Sequence, residues 1–115
     1  MQPTTVSTTD ASAGTTYSSL VRMDTWASAQ SVVQVKVTGT ATFTVETSMD
    51  DPNSPTNPVA VNSMVWNDAA DTAIVAKSAN ASGALVATPV FVRLKQTAGN
   101  GSCTMTIAQF GNATY

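Results

Sequence analysis

Val32-Val33-Gln34-Val35-Lys36-Val37-Thr38-Gly39-Thr40-Ala41-Thr42-Phe43-Thr44-Val45-Glu46-Thr47 is the stretch that decides the fold class. Val33, Val35 and Val37 alternate with Gln34 and Lys36. Beyond Gly39, Ala41, Phe43 and Val45 alternate with Thr42, Thr44 and Glu46. A period of two sends successive side chains to opposite faces, so each run reads as a strand with one apolar and one polar face. β-branched residues on both sides of a glycine predict two strands joined by a tight turn. Pairing Val37 with Ala41, Val35 with Phe43 and Val33 with Val45 gathers the apolar residues on one face and leaves a three-residue loop, Thr38–Thr40. A two-residue loop at Thr38-Gly39 mixes the faces, because a one-residue slip turns every side chain over.

The same pattern recurs at Val90–Ala108. Val90, Val92 and Leu94 alternate with Phe91, Arg93 and Lys95, and Cys103, Met105 and Ile107 alternate with Thr104, Thr106 and Ala108. The tip Thr97-Ala98-Gly99-Asn100-Gly101 holds residues suited to positive φ. A second hairpin follows, with Leu94 opposite Cys103, Val92 opposite Met105 and Val90 opposite Ile107. Between the two, Asp50–Pro58 is a loop with three prolines. Val59–Trp66 reads as a strand, Asn67–Asp71 as a turn, Thr72–Ala76 as a short strand and Lys77–Gly83 as a loop. Ala84–Thr88 is a marginal strand stopped by Pro89. Tyr17–Trp26 reads as a first strand, with a short helix near Thr25–Ala29 as the alternative. Two half-polar hairpins cover their apolar faces most simply by packing on each other. The expected fold is all-β: an antiparallel β-sandwich, jelly-roll-like, over residues 17–115. Residues 1–16 are Thr/Ser/Ala-rich, with Val6 the only larger aliphatic, and are expected to be an extended or flexible N-terminal arm.

Composition narrows function by exclusion. The chain has 115 residues, a single-domain length. Only 10% of residues are charged, against roughly a quarter in an average domain. Nineteen Thr and twelve Ser supply the polarity instead. A net charge of −2 provides no basic field for nucleic acid. With one Cys and no His, neither a zinc site nor a disulfide framework is expected, and the usual catalytic base is missing. Cys103 reads as a small core residue. Asp50, Asp51, Asp68 and Asp71 read as loop-capping carboxylates; a calcium site at Asp50, Asp51 and Asn53 is the alternative. No apolar run is long enough to span a bilayer, so no membrane partner is expected. No catalytic residue, cofactor or metal site is expected. Trp26, Trp66, Tyr17 and Tyr115 could form an aromatic platform, with the core the expected place for the two Trp and an exposed position expected for Tyr115.

The strands are short of charge, and Thr42, Thr44, Thr104 and Thr106 are expected to face outward. Hydroxyls cost far less to desolvate than unpaired charges, so much of this surface is expected to lie against other chains. Thr4, Thr5, Val6, Thr8 and Thr9 of the arm, with Trp66 and Tyr115, are the contact candidates.

Val35-Lys36-Val37-Thr38-Gly39-Thr40-Ala41-Thr42-Phe43-Thr44-Val45-Glu46-Thr47-Ser48-Met49-Asp50-Asp51-Pro52 resembles a hairpin of small virion proteins of tailed bacteriophages. Val65-Trp66-Asn67 is similar to a later Trp-containing segment of theirs. Pro89-Val90-Phe91-Val92-Arg93-Leu94 with Gly99-Asn100-Gly101-Ser102-Cys103-Thr104-Met105-Thr106-Ile107-Ala108-Gln109 is similar to their second hairpin, from which Cys103 departs. The resemblance covers about residues 32–110. It implies a structural virion protein, of the capsid decoration or cement type, that bridges neighbouring major capsid subunits. The partners so implied are the major capsid protein and the protein itself, as dimer or trimer. The location so implied is the capsid exterior, after synthesis in the host cytoplasm; Met1-Gln2-Pro3-Thr4-Thr5, with neither a basic nor an apolar region, is not expected to be a signal peptide. A tail or baseplate component and a carbohydrate-binding, adhesin-like sandwich are the alternatives.

Overall fold

The computed structural model describes residues 3–23, 29–85 and 89–111. Their strands are β1 (Thr4–Thr9), β2 (Thr16–Tyr17), β3 (Val21–Arg22), β4 (Ala29–Thr38), β5 (Thr42–Ser48), β6 (Asn67–Asp68), β7 (Ala81–Leu85), β8 (Phe91–Ala98) and β9 (Ser102–Gly111). They form two antiparallel sheets. Sheet A runs β1-β9-β4-β7, and sheet B runs β2-β8-β5-β6 with β3 also on β8. No helix among the described residues is long and apolar enough to cross a membrane.

Neither expected hairpin is present. β4 and β5 lie in different sheets, as do β8 and β9. β4 pairs instead with β9, Val33 opposite Ile107, Val35 opposite Met105 and Val37 opposite Cys103. β5 pairs with β8, Val45 opposite Leu94 and Glu46 opposite Arg93. Each Gly-containing tip therefore carries the chain across the core from one sheet to the other, and the two arches exchange partners. The expected inward faces hold. Val33, Val35, Phe43, Val45, Val92, Leu94, Cys103, Met105 and Ile107 are all buried in one cluster. Alternation specifies which residues point inward, and it is identical for a hairpin and an arch.

The glycines fit the crossing. Gly39 (φ 74°) and Gly99 (φ 95°) hold the left-handed conformation that favours glycine. Gly101 N donates to Thr40 O at 2.8 Å, joining the tips. A Cβ on Gly99 or Gly101 would overlap the Thr40 or Thr38 carbonyl, so only glycines let the tips approach this closely. Buried beneath them, Gln96 donates from Nε2 to Gly101 O (3.0 Å) and Gly99 O (3.2 Å). Its Oε1 accepts from Thr8 Oγ1 at 2.8 Å.

Other expectations are corrected. Of the stretch read as an arm, Thr4–Thr9 is an edge strand registered on β9 from Thr4–Ile107 to Thr9–Ser102. Its weak apolar content is made up by ladder bonds, by Val6 packing on the core and by the Thr8–Gln96 bond. Tyr17–Trp26 is not one strand. β2 and β3 are separated at Ser18, whose N–H donates to Leu94 O while its hydroxyl accepts from Leu94 N. The helix weighed at Thr25–Ala29 falls outside the described residues up to residue 28, and Ala29 opens β4. Val59–Trp66 contains a 3-10 turn at Val61–Ser63 rather than a strand. Thr72–Ile74 is also a 3-10 turn, because the Asp71 carboxylate accepts from Ala73 N. β7 begins at Ala81, inside the expected loop.

Candidate interaction face

The outer face of sheet A is built by register. Thr9, Ser102 and Thr38 make one cross-strand row. Ser7, Thr104 and Lys36 make the next, Thr5, Thr106, Gln34 and Ser82 a third, and Ala108, Val32 and Ala84 a fourth. Their inward neighbours Val33, Val35, Cys103, Met105 and Ile107 fill the core. The four strands carry one charged residue between them, Lys36. Neighbouring hydroxyls already satisfy one another, Thr5 with Thr106 at 3.3 Å and Ser7 with Thr104 at 3.4 Å. A hydroxyl that keeps a hydrogen bond loses little on leaving water, whereas a buried unpaired charge costs much more. The Thr methyls add apolar area to the same face. Such a face can be covered by another macromolecule at low desolvation cost.

The opposite face is different in kind. On sheet B the carboxylate of Glu46 accepts from Arg93 Nε at 2.8 Å and faces Lys95 Nζ at 3.3 Å; Lys95 reaches Asp68 at 3.9 Å. The Tyr17 and Trp66 rings each lie 4.1 Å from Arg93 Cζ, and Phe91 lies under Arg22 at 5.3 Å. Arg22 also forms a two-bond ion pair with Asp51, at 3.1 and 2.9 Å. Most of the charge among the described strands sits here, already partnered.

The contact candidates divide accordingly. Thr4, Thr5 and Thr9 are exposed on β1. Val6 is half-buried and Thr8 faces inward at 3% exposure, so Thr8 is a buried tie to Gln96 rather than a contact residue. Trp66 is half-buried on the outer face of sheet B rather than in the core, because Arg93 and its ion pair give the ring a surface to stack on. It shares the Arg93 guanidinium with Tyr17 there, a convergence that separate segments of sequence do not signal. Trp26 and Tyr115 lie outside the described residues.

Thr104 and Thr106 are half-exposed on the outer face, as expected, whereas Thr44 is buried, its hydroxyl accepting from Ala76 N at 3.0 Å. Cys103 is buried in the core, and burial pushes its thiol pKa up.

The carboxylates serve backbone geometry. Asp50 accepts from Val65 N at 2.6 Å. Arg22 and the Asn53 amide hold Asp51 below the usual carboxylate range, and the Ala84 and Ala73 amides do the same for Asp71.

The alternation in the sequence marks the sheet A residues as outward-facing. It does not show that β1 and β7 extend the same face, which follows from the observed register. Exposed Met49, Val61 and Val65, around the proline-rich loop, are apolar surface that the strand pattern did not single out. No protein-family model, no curated protein and no solved structure matches this chain.

Proposed function

We propose that the protein is a structural component of a virion, one that decorates and stabilises a bacteriophage capsid by bridging neighbouring major capsid subunits. Its docking surface is the outer face of sheet A. The observation that carries this reading is the partition of charge: the four described strands of sheet A are hydroxyl-rich with Lys36 as their single charge, and sheet B gathers the paired charges. The sheet orders β1-β9-β4-β7 and β2-β8-β5-β6 support a jelly-roll description, an architecture used by viral capsid domains among others. The bacteriophage assignment draws on the sequence resemblance over residues 32–110. The mechanism is mechanical. Each copy spans adjacent subunits, and many weak contacts joined by one shell act at high effective concentration.

The test mixes the protein with capsids that lack it. Binding in fixed ratio to the major capsid protein is expected. Thr106→Glu, which sets a charge between Thr5 and Gln34, should abolish it, while Tyr17→Ala on the other face should leave it intact. Failure of the unaltered protein to bind any such capsid overturns the reading. A second reading, a carbohydrate-binding sandwich, draws on Tyr17 and Trp66 both lying against Arg93 on one face. Glycan binding that is lost in Trp66→Ala would favour it.

A further inference from the structure

We infer that β1 is a self-complementary edge through which two copies of this chain join, with Ser7 on the twofold axis. The inference concerns the free protein and goes beyond the docking reading without depending on it.

Hydrogen-bond parity fixes which way the main-chain groups of β1 point. Asp10 N donates to Gly101 O, its cross-strand neighbour, at 3.0 Å. In an antiparallel pair, hydrogen-bonded positions alternate with non-hydrogen-bonded ones. Thr8, Val6 and Thr4 therefore direct their main-chain groups towards β9, and Thr9, Ser7 and Thr5 direct theirs away from it. Among the described residues β1 is the outermost strand of sheet A, so these three residues present N–H and C=O groups along its outer edge.

The edge is bounded at both ends. At one end the next outward-facing residue is Pro3, which has no N–H to donate. At the other, Asp10 turns the chain at φ 47°, and Ala11 N donates inward to Gly99 O at 2.8 Å. What remains is Thr5, Ser7 and Thr9, spaced evenly about Ser7. Antiparallel pairing with a second copy, Ser7 opposite Ser7 and Thr5 opposite Thr9, uses every outward donor and acceptor. A shift of two residues either way leaves one of the three without a partner on each copy. The arrangement is isologous, so it closes at two subunits.

Side chains and charge agree with this register. Thr5, Ser7 and Thr9 lie on the outer face, where Thr5 and Ser7 already bond to Thr106 and Thr104; pairing extends that hydroxyl ladder across the axis. β1 contains no charge, no proline and no bulge, the devices that normally protect an edge. Each Asp10 falls opposite Thr4 of the other copy. The two carboxylates then stand about 20 Å apart at the strand rise per residue, beyond the roughly 8 Å screening length at physiological salt. The strand that fits this edge is thus β1 of a second copy, in one register.

Cross-linking reads that register directly. Ser7→Cys places two thiols across a hydrogen-bonded pair with Cα atoms about 5.5 Å apart, within disulfide reach. Thr9→Cys places them about 13 Å apart, out of reach. Under mild oxidation at high protein concentration, Ser7→Cys should give a covalent dimer and Thr9→Cys should stay monomeric. Cys103 is buried on the core side and does not compete. In sedimentation of the otherwise unaltered chain, a monomer–dimer equilibrium is expected. It should be lost in Ser7→Lys, which sets two ammonium groups face to face on an exposed position, with thermal unfolding confirming that Ser7→Lys is folded. Equal cross-linking of both cysteine variants, no cross-linking of Ser7→Cys, or growth beyond dimers overturns the inference. No capsid is present in these measurements, so their outcome is separable from that of the docking reading.

Discussion

Replacing Gln96 by Leu removes the polar knot under the arch tips while nearly conserving volume. Gln96 is 0% exposed. The substitution deletes its bond from Thr8, its bonds to Gly99 O and Gly101 O, and a longer one to Ala98 O at 3.5 Å. The two carbonyls keep a second partner each, Ala11 N at 2.8 Å and Asp10 N at 3.0 Å. The Thr8 hydroxyl, buried at 3% exposure, loses Gln96 Oε1 as its acceptor and keeps the Cys103 sulfur. The three shorter bonds at roughly 0.5–1.5 kcal/mol each, reduced by what the carbonyls retain and increased by a buried hydroxyl left with a weak sulfur partner, give a loss of about 2–3 kcal/mol. For a domain of this size that corresponds to roughly 8–12 °C in Tm. Differential scanning calorimetry measures it, and Thr8→Val in the same background should recover about 1 kcal/mol because both partners are then apolar. Amide exchange of residues 4–9 should rise in Gln96→Leu, since β1 loses the Thr8–Gln96 tie. An unchanged Tm, or exchange that rises everywhere except β1, would refute the role given to Gln96.

Further outcomes follow from the same contacts. The partner exchange of the arches predicts that Lys36→Cys with Thr104→Cys forms a disulfide, while Lys36→Cys with Thr42→Cys, opposite each other in a hairpin, does not; the reverse would restore the hairpin. Asp51 and Asp71 have native pKa values below their unfolded ones. Their contribution to stability is therefore complete above about pH 4 and is lost as pH falls through the lowered native values. Urea midpoints followed down the acid side should drop there, less steeply in Asp71→Asn; an identical profile in that variant would contradict the assignment. Cys103 should react with a thiol reagent only as the protein unfolds, because it is buried and its thiol is pushed up. Rapid reaction of the native protein would show that sheet A opens locally.

The inward faces of the four long strands were legible because period-two alternation is a local property. Val33, Val35, Phe43, Val45, Met105 and Ile107 needed nothing beyond it. Their partners were not legible, because Gly39 and Gly99 permit an in-sheet turn and a crossing alike, and the choice is made by which arrangement buries both apolar faces. Gly101 carries a signal in hindsight: a third glycine at the tips is what two crossing chains require, and a single hairpin does not need it. Val59–Trp66 misled because branched residues without a neighbouring strand have no ladder to join; Val61 and Val65 remain exposed instead. β1 was missed for the opposite reason, since TTVSTT holds one large aliphatic and gains its place from β9 and Gln96. The poverty of charge was plain in composition. Its confinement to one face was not, because β1, β4, β7 and β9 come together only through long-range pairing.

A reconstruction of capsids carrying the protein tests the docking claim most directly. The account predicts one orientation, with Thr104, Thr106, Gln34 and Lys36 against the shell, the Tyr17–Arg93–Trp66 stack towards solvent, and copies in fixed proportion to the major capsid protein. Sheet A facing solvent, or particles that carry none of the protein when it is supplied in excess, would contradict it.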